Sequence, residues 1–130
     1  MKIVYIMKDP FGRPDLKIGK TGDPEARLGN YQNSFSSKSH IAQFDYAWHG
    51  DNMAVDNLEK AIKQIHHWDI ELDGRGHSEW IYDKSLEDMI SSIEEIIKDY
   101  KFKVQKIDNN YLPLNRLNLE EFLSTLDHTI

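Results

Sequence analysis

The 130-residue sequence predicts an α/β (α+β) domain, a small sheet flanked by helices, with a C-terminal extension. Three observations predict it. Segments of strand periodicity and amphipathic helical segments follow one another in the order ββαβαβα. Clusters of Gly, Pro, Asp and Asn punctuate the joins. A hydrophobic content of 39% with 11% aromatics is ordinary for one packed core that needs neither disulfides nor structural metal.

Lys2–Lys8 reads as a strand, with Val4 and Ile6 on one face and Ile3, Tyr5 and Met7 on the other. The turn formers from Asp9 to Asp15 separate it from a second strand, Leu16–Lys20, so the two make a hairpin with a long loop. Asp23 then stands as N-cap with Pro24 in the first helical position, where a missing N–H costs nothing, and the helix runs to about Asn33. After the polar stretch Ser34–Ser39, Ile41–Trp48 has strand character and ends at Gly50. The next helix starts near Asp51 with the stripe Ala54, Leu58, Ala61, Ile62, Ile65 and Trp68. Asp73–Gly76 is a turn and Ser78–Tyr82 a short strand. Ser85 caps a third helix, with Asp88 in capping-box position and the stripe Leu86, Met89, Ile90, Ile93, Ile96, Ile97 and Tyr100. Phe102–Ile107 is the last strand. The domain therefore spans 1–107, and 108–130 is an extension with a short acidic helix from Asn118.

Composition excludes several classes of function. The sequence has no cysteine, which removes thiolate metal sites, disulfides and a cysteine nucleophile. No apolar run approaches the roughly 18 residues a membrane span needs, and the N-terminal run is too short for a signal peptide, so a soluble, cytoplasmic protein is expected. P-loop, GxSxG and HExxH motifs are missing. The net charge of −6 argues against indiscriminate coating of nucleic acid. It is unevenly spread: residues 1–38 hold seven Lys/Arg against four Asp/Glu, a local +3, and the remainder nine against eighteen, a local −9. A phosphate can approach the N-terminal third.

The elements that carry chemistry are Val4-Tyr5-Ile6, Lys17-Ile18-Gly19-Lys20-Thr21, Asp23-Pro24-Glu25-Ala26-Arg27-Leu28, Leu58-Glu59-Lys60-Ala61-Ile62 and Glu79-Trp80. In this order and spacing, over roughly residues 3–82, they resemble the GIY-YIG nucleases, in the branch where lysine replaces the second motif tyrosine. The resemblance implies a central, mostly antiparallel sheet and a metal-dependent endonuclease acting on nucleic acid, DNA before RNA. It implies Glu59 as ligand of a single Mg²⁺ or Mn²⁺, Tyr5 as general base assisted by Lys17, Arg27 on the phosphate, Tyr31 as helper, and Gly19 and Lys20 against the substrate. A phage or mobile-element setting suits it.

The residues make chemical sense without the name. In a suitable hairpin register Tyr5, Lys17 and Gly19 share one face, and Gly19 lets a substrate backbone come close. Arg27 and Tyr31 are i and i+4 on one helix face. A guanidinium holds phosphate with two parallel hydrogen bonds, and a glutamate is the hard oxygen ligand that Mg²⁺ prefers. Tyrosine, ordinarily near pKa 10, needs a neighbouring cation to act as a base at neutral pH. Two positions depart from the pattern: Val4 replaces the first glycine, and Lys63 stands where a histidine is common, leaving a second metal ligand unassigned.

Each residue also has a plain structural reading. Tyr5 and Lys17 fit an ordinary strand, Arg27 can pair with Asp23, and Glu59 with Lys63 is a helix ion pair at i, i+4. His66 lies two turns beyond Glu59, on nearly the same face, within reach of an outer-shell or phosphate role. His40, His49, His77 and His128 read as solvated, and Trp80 as sheet packing. Two further functions remain open: a non-enzymatic module that binds nucleic acid or protein, and an extension whose Tyr111, Leu112, Leu114, Leu117, Leu119, Phe122, Leu123 and Leu126 pack on the core, on a protein partner or on a second copy.

Overall fold

In a computed structural model of the chain, the described residues are 1–9, 15–34, 41–66, 70–71, 80–82 and 84–126, the side chains of 70 and 71 excepted. The elements are β1 (Lys2–Lys8), β2 (Leu16–Thr21), α1 (Pro24–Ser34), β3 (Gln43–Phe44), β4 (Tyr46–Gly50), α2 (Asn52–Ile65), β5 (Ile70–Glu71), β6 (Trp80–Ile81), α3 (Leu86–Tyr100), β7 (Val104–Lys106), β8 (Leu114–Asn115) and α4 (Leu119–Leu126). Six strands form an antiparallel sheet in the order β5-β6-β2-β1-β4-β7, and β3 pairs with β8 in a second, two-stranded sheet. The α+β architecture is the one the sequence implies. Among the described residues, no helix is long and apolar enough to cross a membrane.

The central strand explains its own composition. β1 has neighbours on both edges and helices on both faces, so Ile3 to Met7 are all buried, and this run between the terminal Lys2 and Lys8 is apolar instead of alternating. Alternation decides which residue meets which layer. Val4, Ile6, Leu16, Ile18 and Trp48 pack with α2 and α3, whereas Ile3, Tyr5, Met7 and Ala47 pack with Leu28 of α1 and with Leu114, Leu119 and Phe122 of the extension. Trp48 is almost wholly buried and donates from Nε1 to Glu94 Oε1 of α3 at 3.1 Å, satisfying the one polar atom its side chain brings into the core. Gly50 is required where β7 crosses β4: a Cβ there would stand 2.8 Å from the Lys103 carbonyl oxygen.

Several local expectations change. The stretch Ile41–Trp48 is two strands, because the chain bends at Asp45. The Asp45 Oδ2 accepts from the Lys8 backbone N–H at 2.7 Å and Oδ1 from Gln43 Nε2 at 3.1 Å, while its own N–H donates to the Ile6 carbonyl at 2.9 Å. A short carboxylate that satisfies neighbouring backbone groups offers an alternative to a continued ladder. The buried stripe of α2 is Val55, Leu58, Glu59 and Ile62, one position round from the expected one, leaving Ile65 48% exposed. On α3, Tyr100 lies outside the core and stacks on Phe102 at 5.6 Å between ring centroids. The caps expected at Asp23 and Ser85 form, and Asp51, where the second helix is expected to begin, caps it too: the three side chains accept from the N–H groups of Ala26, Asp88 and Ala54, respectively. The expected turn at 73–76, Ser78 and Glu79 ahead of Trp80, and Trp68 lie outside the described residues.

Candidate functional site

β2 supplies side chains to two polar groups, one on each face of the sheet. On the α1 face, the β1–β2 register sets Tyr5 opposite Gly19 and Met7 opposite Lys17. Tyr5 is fully buried, its ring stacked on Phe44 at 4.1 Å with an interplanar angle of 17°, and its hydroxyl lies 2.7 Å from that of Tyr31. The Lys17 ammonium stands 4.9 Å from the Tyr31 ring centroid and 5.6 Å from that of Trp80, a cation held between two aromatic rings. Tyr31 is half-buried, so of the two hydroxyl-bearing residues it is the one that meets solvent. Arg27, one turn before Tyr31 on the same helix, is exposed, and among the described residues its guanidinium makes no hydrogen bond or ion pair. Asp23, its expected ion partner, instead uses its carboxylate as the helix cap and meets Arg27 only through the backbone.

On the α2 face, Lys20 reaches two carboxylates one helical turn apart. Its Nζ is 3.0 Å from Asp56 Oδ1 and 3.6 Å from Glu59 Oε1. Lys2 meets the same Asp56 oxygen at 2.9 Å, and Lys63 meets Glu59 Oε1 at 3.4 Å. Hydrogen bonds from Lys2 and then Lys20 hold the Asp56 carboxyl below its ordinary 3.8. The bond to Asp56 raises the Lys20 ammonium above its ordinary 10.5; desolvation opposes this and the charge of Glu59 adds to it. Glu59 is only 5% exposed, and its Oε2 is buried with no hydrogen-bond partner. An orphaned carboxylate oxygen in the core is costly unless something satisfies it.

That oxygen tests the fit of a metal. A buried carboxylate oxygen lacking a donor suits a hard cation, and Mg²⁺ is commonly held by one or two carboxylates with water and phosphate oxygens in its other positions. Among the described residues there is no group of three or more His, Asp or Glu that would hold a metal unaided. The donor set is one carboxylate whose Oε1 already faces the Lys20 and Lys63 ammoniums, so a divalent ion there would be held weakly, through Oε2 with water and substrate oxygens.

The fold thus brings Tyr5, Tyr31 and Lys17 together and, separately, Lys20 and Glu59. Described contacts do not link the two groups directly, since alternation along β2 sends Lys17 and Gly19 to one face and Lys20 to the other. They do share a place. Gly19 is the cross-strand partner of Tyr5 and the chain neighbour of Lys20, and among the described residues β6 pairs with β2 at Leu16 and Lys17. The sequence reading does not single out Asp56 and Lys2. A signal for Asp56 exists, since it lies at i−3 from Glu59 on the same helix face.

The histidines sort themselves structurally. His66 caps α2 and its Nε2 lies 2.7 Å from Ser92 Oγ of α3, a buried tie between helices in place of an outer-shell role. His49 is half-buried and not simply solvated: it packs edge-on against Phe122 at 5.8 Å, and burial lowers its pKa below the ordinary 6.5. His40, His67, His77, His128 and Glu79 lie outside the described residues. A cleft of about 200 Å³ lined by Glu25, Arg116, Leu119, Glu120 and Leu123 lies between α1 and α4, across the sheet from Glu59.

The chain belongs to the T5orf172 domain family, which matches residues 2–106. The match ends on the last residue of β7, so β8 and α4 lie beyond it. No curated protein and no solved structure matches the chain. T5orf172 is a phage-associated domain related to nuclease-like folds, which gives the chain a nucleic-acid-related setting. Every residue of both polar groups falls inside the T5orf172 match.

Proposed function

We propose that this T5orf172 domain is a GIY-YIG-type endonuclease that hydrolyses phosphodiester bonds of nucleic acid, DNA in the first instance, with a single Mg²⁺ or Mn²⁺. The observation that carries the reading is Glu59: a buried carboxylate with one orphaned oxygen, on the motif helix beside a motif lysine. Stability alone is a weak reason for a glutamate in that state, because a buried ion pair with an unfilled acceptor offsets little more than the cost of its own desolvation.

In this reading the scissile phosphate lies at the Gly19–Thr21 end of β2. Gly19 lets the substrate backbone close on the strand. Arg27, exposed and uncommitted among the described residues, grips the phosphate through two parallel hydrogen bonds. Lys20 adds positive charge from the other face. Glu59 would hold the metal ion, which when bound polarises the phosphate and stabilises the leaving oxygen. Water attacks phosphorus as the P–O bond to the leaving group breaks; the water's proton passes to Tyr31, the solvent-facing member of the Tyr31–Tyr5 pair, acting as its phenolate, and the leaving oxygen takes up a proton from solvent. The Lys17 ammonium beside the Tyr31 ring offsets negative charge on that oxygen. Tyr5, fully buried, serves as the inner relay and anchor of Tyr31.

The test is a cleavage assay with Mg²⁺ or Mn²⁺ on single- and double-stranded DNA and RNA. Metal-dependent nicking or cutting that disappears in both Arg27→Ala and Glu59→Ala is expected; no cleavage of any substrate by the wild type sinks the enzymatic reading. One observation favours a second reading, a binding module without turnover: Lys20 and Lys63 already stand within 3.6 Å of Glu59 Oε1. Salt-sensitive binding unaffected by Glu59→Ala, with no turnover, would select it.

A further inference from the structure

We infer that Asp56 is a positioning residue for Glu59: it holds the ammonium groups of Lys2 and Lys20, and so keeps Lys20 from closing fully onto the carboxylate that would take the metal, with which it forms only a long ion pair. The inference rests on the metal-binding role proposed above for Glu59 and gives that site a residue outside the motif set.

The geometry is specific. Both lysines converge on one oxygen, Asp56 Oδ1, at 2.9 and 3.0 Å. Those are hydrogen-bond lengths, whereas Lys20 meets Glu59 Oε1 at the longer 3.6 Å of a looser ion pair. Lys20 is therefore shared, held chiefly by Asp56 and more loosely by Glu59. Lys63 also addresses Oε1, at 3.4 Å, so both lysines lie on the same side of the carboxylate and Oε2 is left alone. A lysine free to move would be drawn onto a buried carboxylate with an unfilled acceptor. A four-carbon stem carries the Lys20 ammonium easily over a few tenths of an ångström, and a nearly buried carboxylate is the stronger attractor in its lower-dielectric surroundings. Asp56 prevents that movement by competing for the ammonium.

Charge arithmetic points the same way. Lys2, Lys20 and Lys63 against Asp56 and Glu59 leave a local +1; without Asp56 the same three lysines face one carboxylate, a local +2. A divalent cation is repelled by the second arrangement, while a nucleic-acid phosphate is attracted by it. Asp56 thus sets a balance: removing it weakens metal binding and strengthens binding of the polyanion. General destabilisation of the fold would weaken both, and this opposition distinguishes a positioning role from a structural one.

The experiment uses the full chain and Mn²⁺ alone as probe, its affinity read by calorimetry or by loss of the free-ion paramagnetic resonance signal. Wild type and Glu59→Gln test the metal reading: wild type binds and Glu59→Gln does not; if neither binds, or both bind alike, that reading falls and the inference with it. Asp56→Asn and the double variant Asp56→Asn/Lys20→Met test the inference itself. Asp56→Asn weakens Mn²⁺ binding about tenfold, the size of coupling expected between charged residues in contact, and the double variant returns to within about threefold of wild type. In EDTA, Asp56→Asn binds a labelled DNA duplex more tightly, with a salt dependence steeper by about one to two phosphate contacts. If Asp56→Asn binds Mn²⁺ like wild type, or the double variant binds no better than Asp56→Asn, then Asp56 does not act through Lys20 and the inference is wrong while the role of Glu59 stands.

Discussion

On the α1 face, Tyr5, Tyr31, Phe44, Lys17 and Trp80 hold one another through ring contacts and a single hydroxyl–hydroxyl bond. On the α2 face, Lys2, Asp56, Lys20, Glu59 and Lys63 hold one another by charge, around a carboxylate with one oxygen left without a donor. The first group is continuous with the hydrophobic core, so it contributes to stability whatever else it does. The second lies at the rim of the core and is incompletely satisfied, which stability alone does not explain. The difference teaches that a buried aromatic in a motif and a buried charge in a motif need different tests.

The largest expected effect is on the α1 face. Tyr5→Ala removes a fully buried ring from between β1, Phe44 and Tyr31 and costs about 3–5 kcal/mol in denaturant unfolding. A loss below about 1 kcal/mol would mean that this face is not the stabilising one. Lys17→Met comes next: removing the cation between Tyr31 and Trp80 costs about 0.5–2 kcal/mol, a loss that persists in high salt because its partners are rings and not charges. Tyr5→Phe leaves the Tyr31 hydroxyl without this partner and costs about 0.5–1.5 kcal/mol, with proton transfer impaired more than stability.

The α2 face gives the smaller stability effects. Glu59→Gln is expected to change unfolding free energy by less than about 1 kcal/mol in either direction while abolishing metal-dependent cleavage, because the lost ion pairs are offset by relief of a poorly satisfied buried charge. A loss of several kcal/mol would return Glu59 to a structural role. The pH dependence separates the faces further. Burial lowers the pKa of His49, so its contribution is complete above 6.5 and is lost as pH falls through the lower folded value; the His49–Phe122 contact should therefore loosen in mild acid, visible as faster amide exchange in α4. Asp56 is depressed from 3.8, so its contribution is present above that value and disappears only in stronger acid, while the raised Lys20 keeps its contribution below 10.5 and loses it in strong alkali. As pH falls below the ordinary histidine value, α4 should respond before the Asp56–Lys20 pair does, because the Asp56 carboxyl is held below even its ordinary 3.8.

Much of the fold is legible because local rules and tertiary context agree. The capping residues Asp23, Asp51 and Ser85 compete for the same N–H groups in any sequence, and the apolar run of β1 has few alternatives. The tyrosine pair is half legible: alternation places Tyr5 and Lys17 on one face, and spacing places Tyr31 one turn after Arg27, but nothing local brings α1 onto that face. The break at Asp45 is hidden because its side-chain bonds to Lys8 and Gln43 depend on where β1 ends. His49 reads as solvated from the sequence because its partner, Phe122, is more than seventy residues away in the chain.

What the sequence by itself determined is the order of the main strands and helices, the caps of α1 and α3, and the motif residues that the T5orf172 match contains. What only the tertiary structure decided is the rotation of α2 about its axis. An amphipathic pattern specifies a face to within about one residue, roughly 100° of turn, and the packing of Val55, Leu58 and Ile62 on the sheet selected the rotation that takes Glu59 inward and leaves Ile65 outside. That choice buries one carboxylate, brings Asp56 to the rim, and delivers Lys20 between them. Pairwise charge contacts across two elements follow from how those elements dock, and docking is settled by the fit of the whole core, which no single segment encodes.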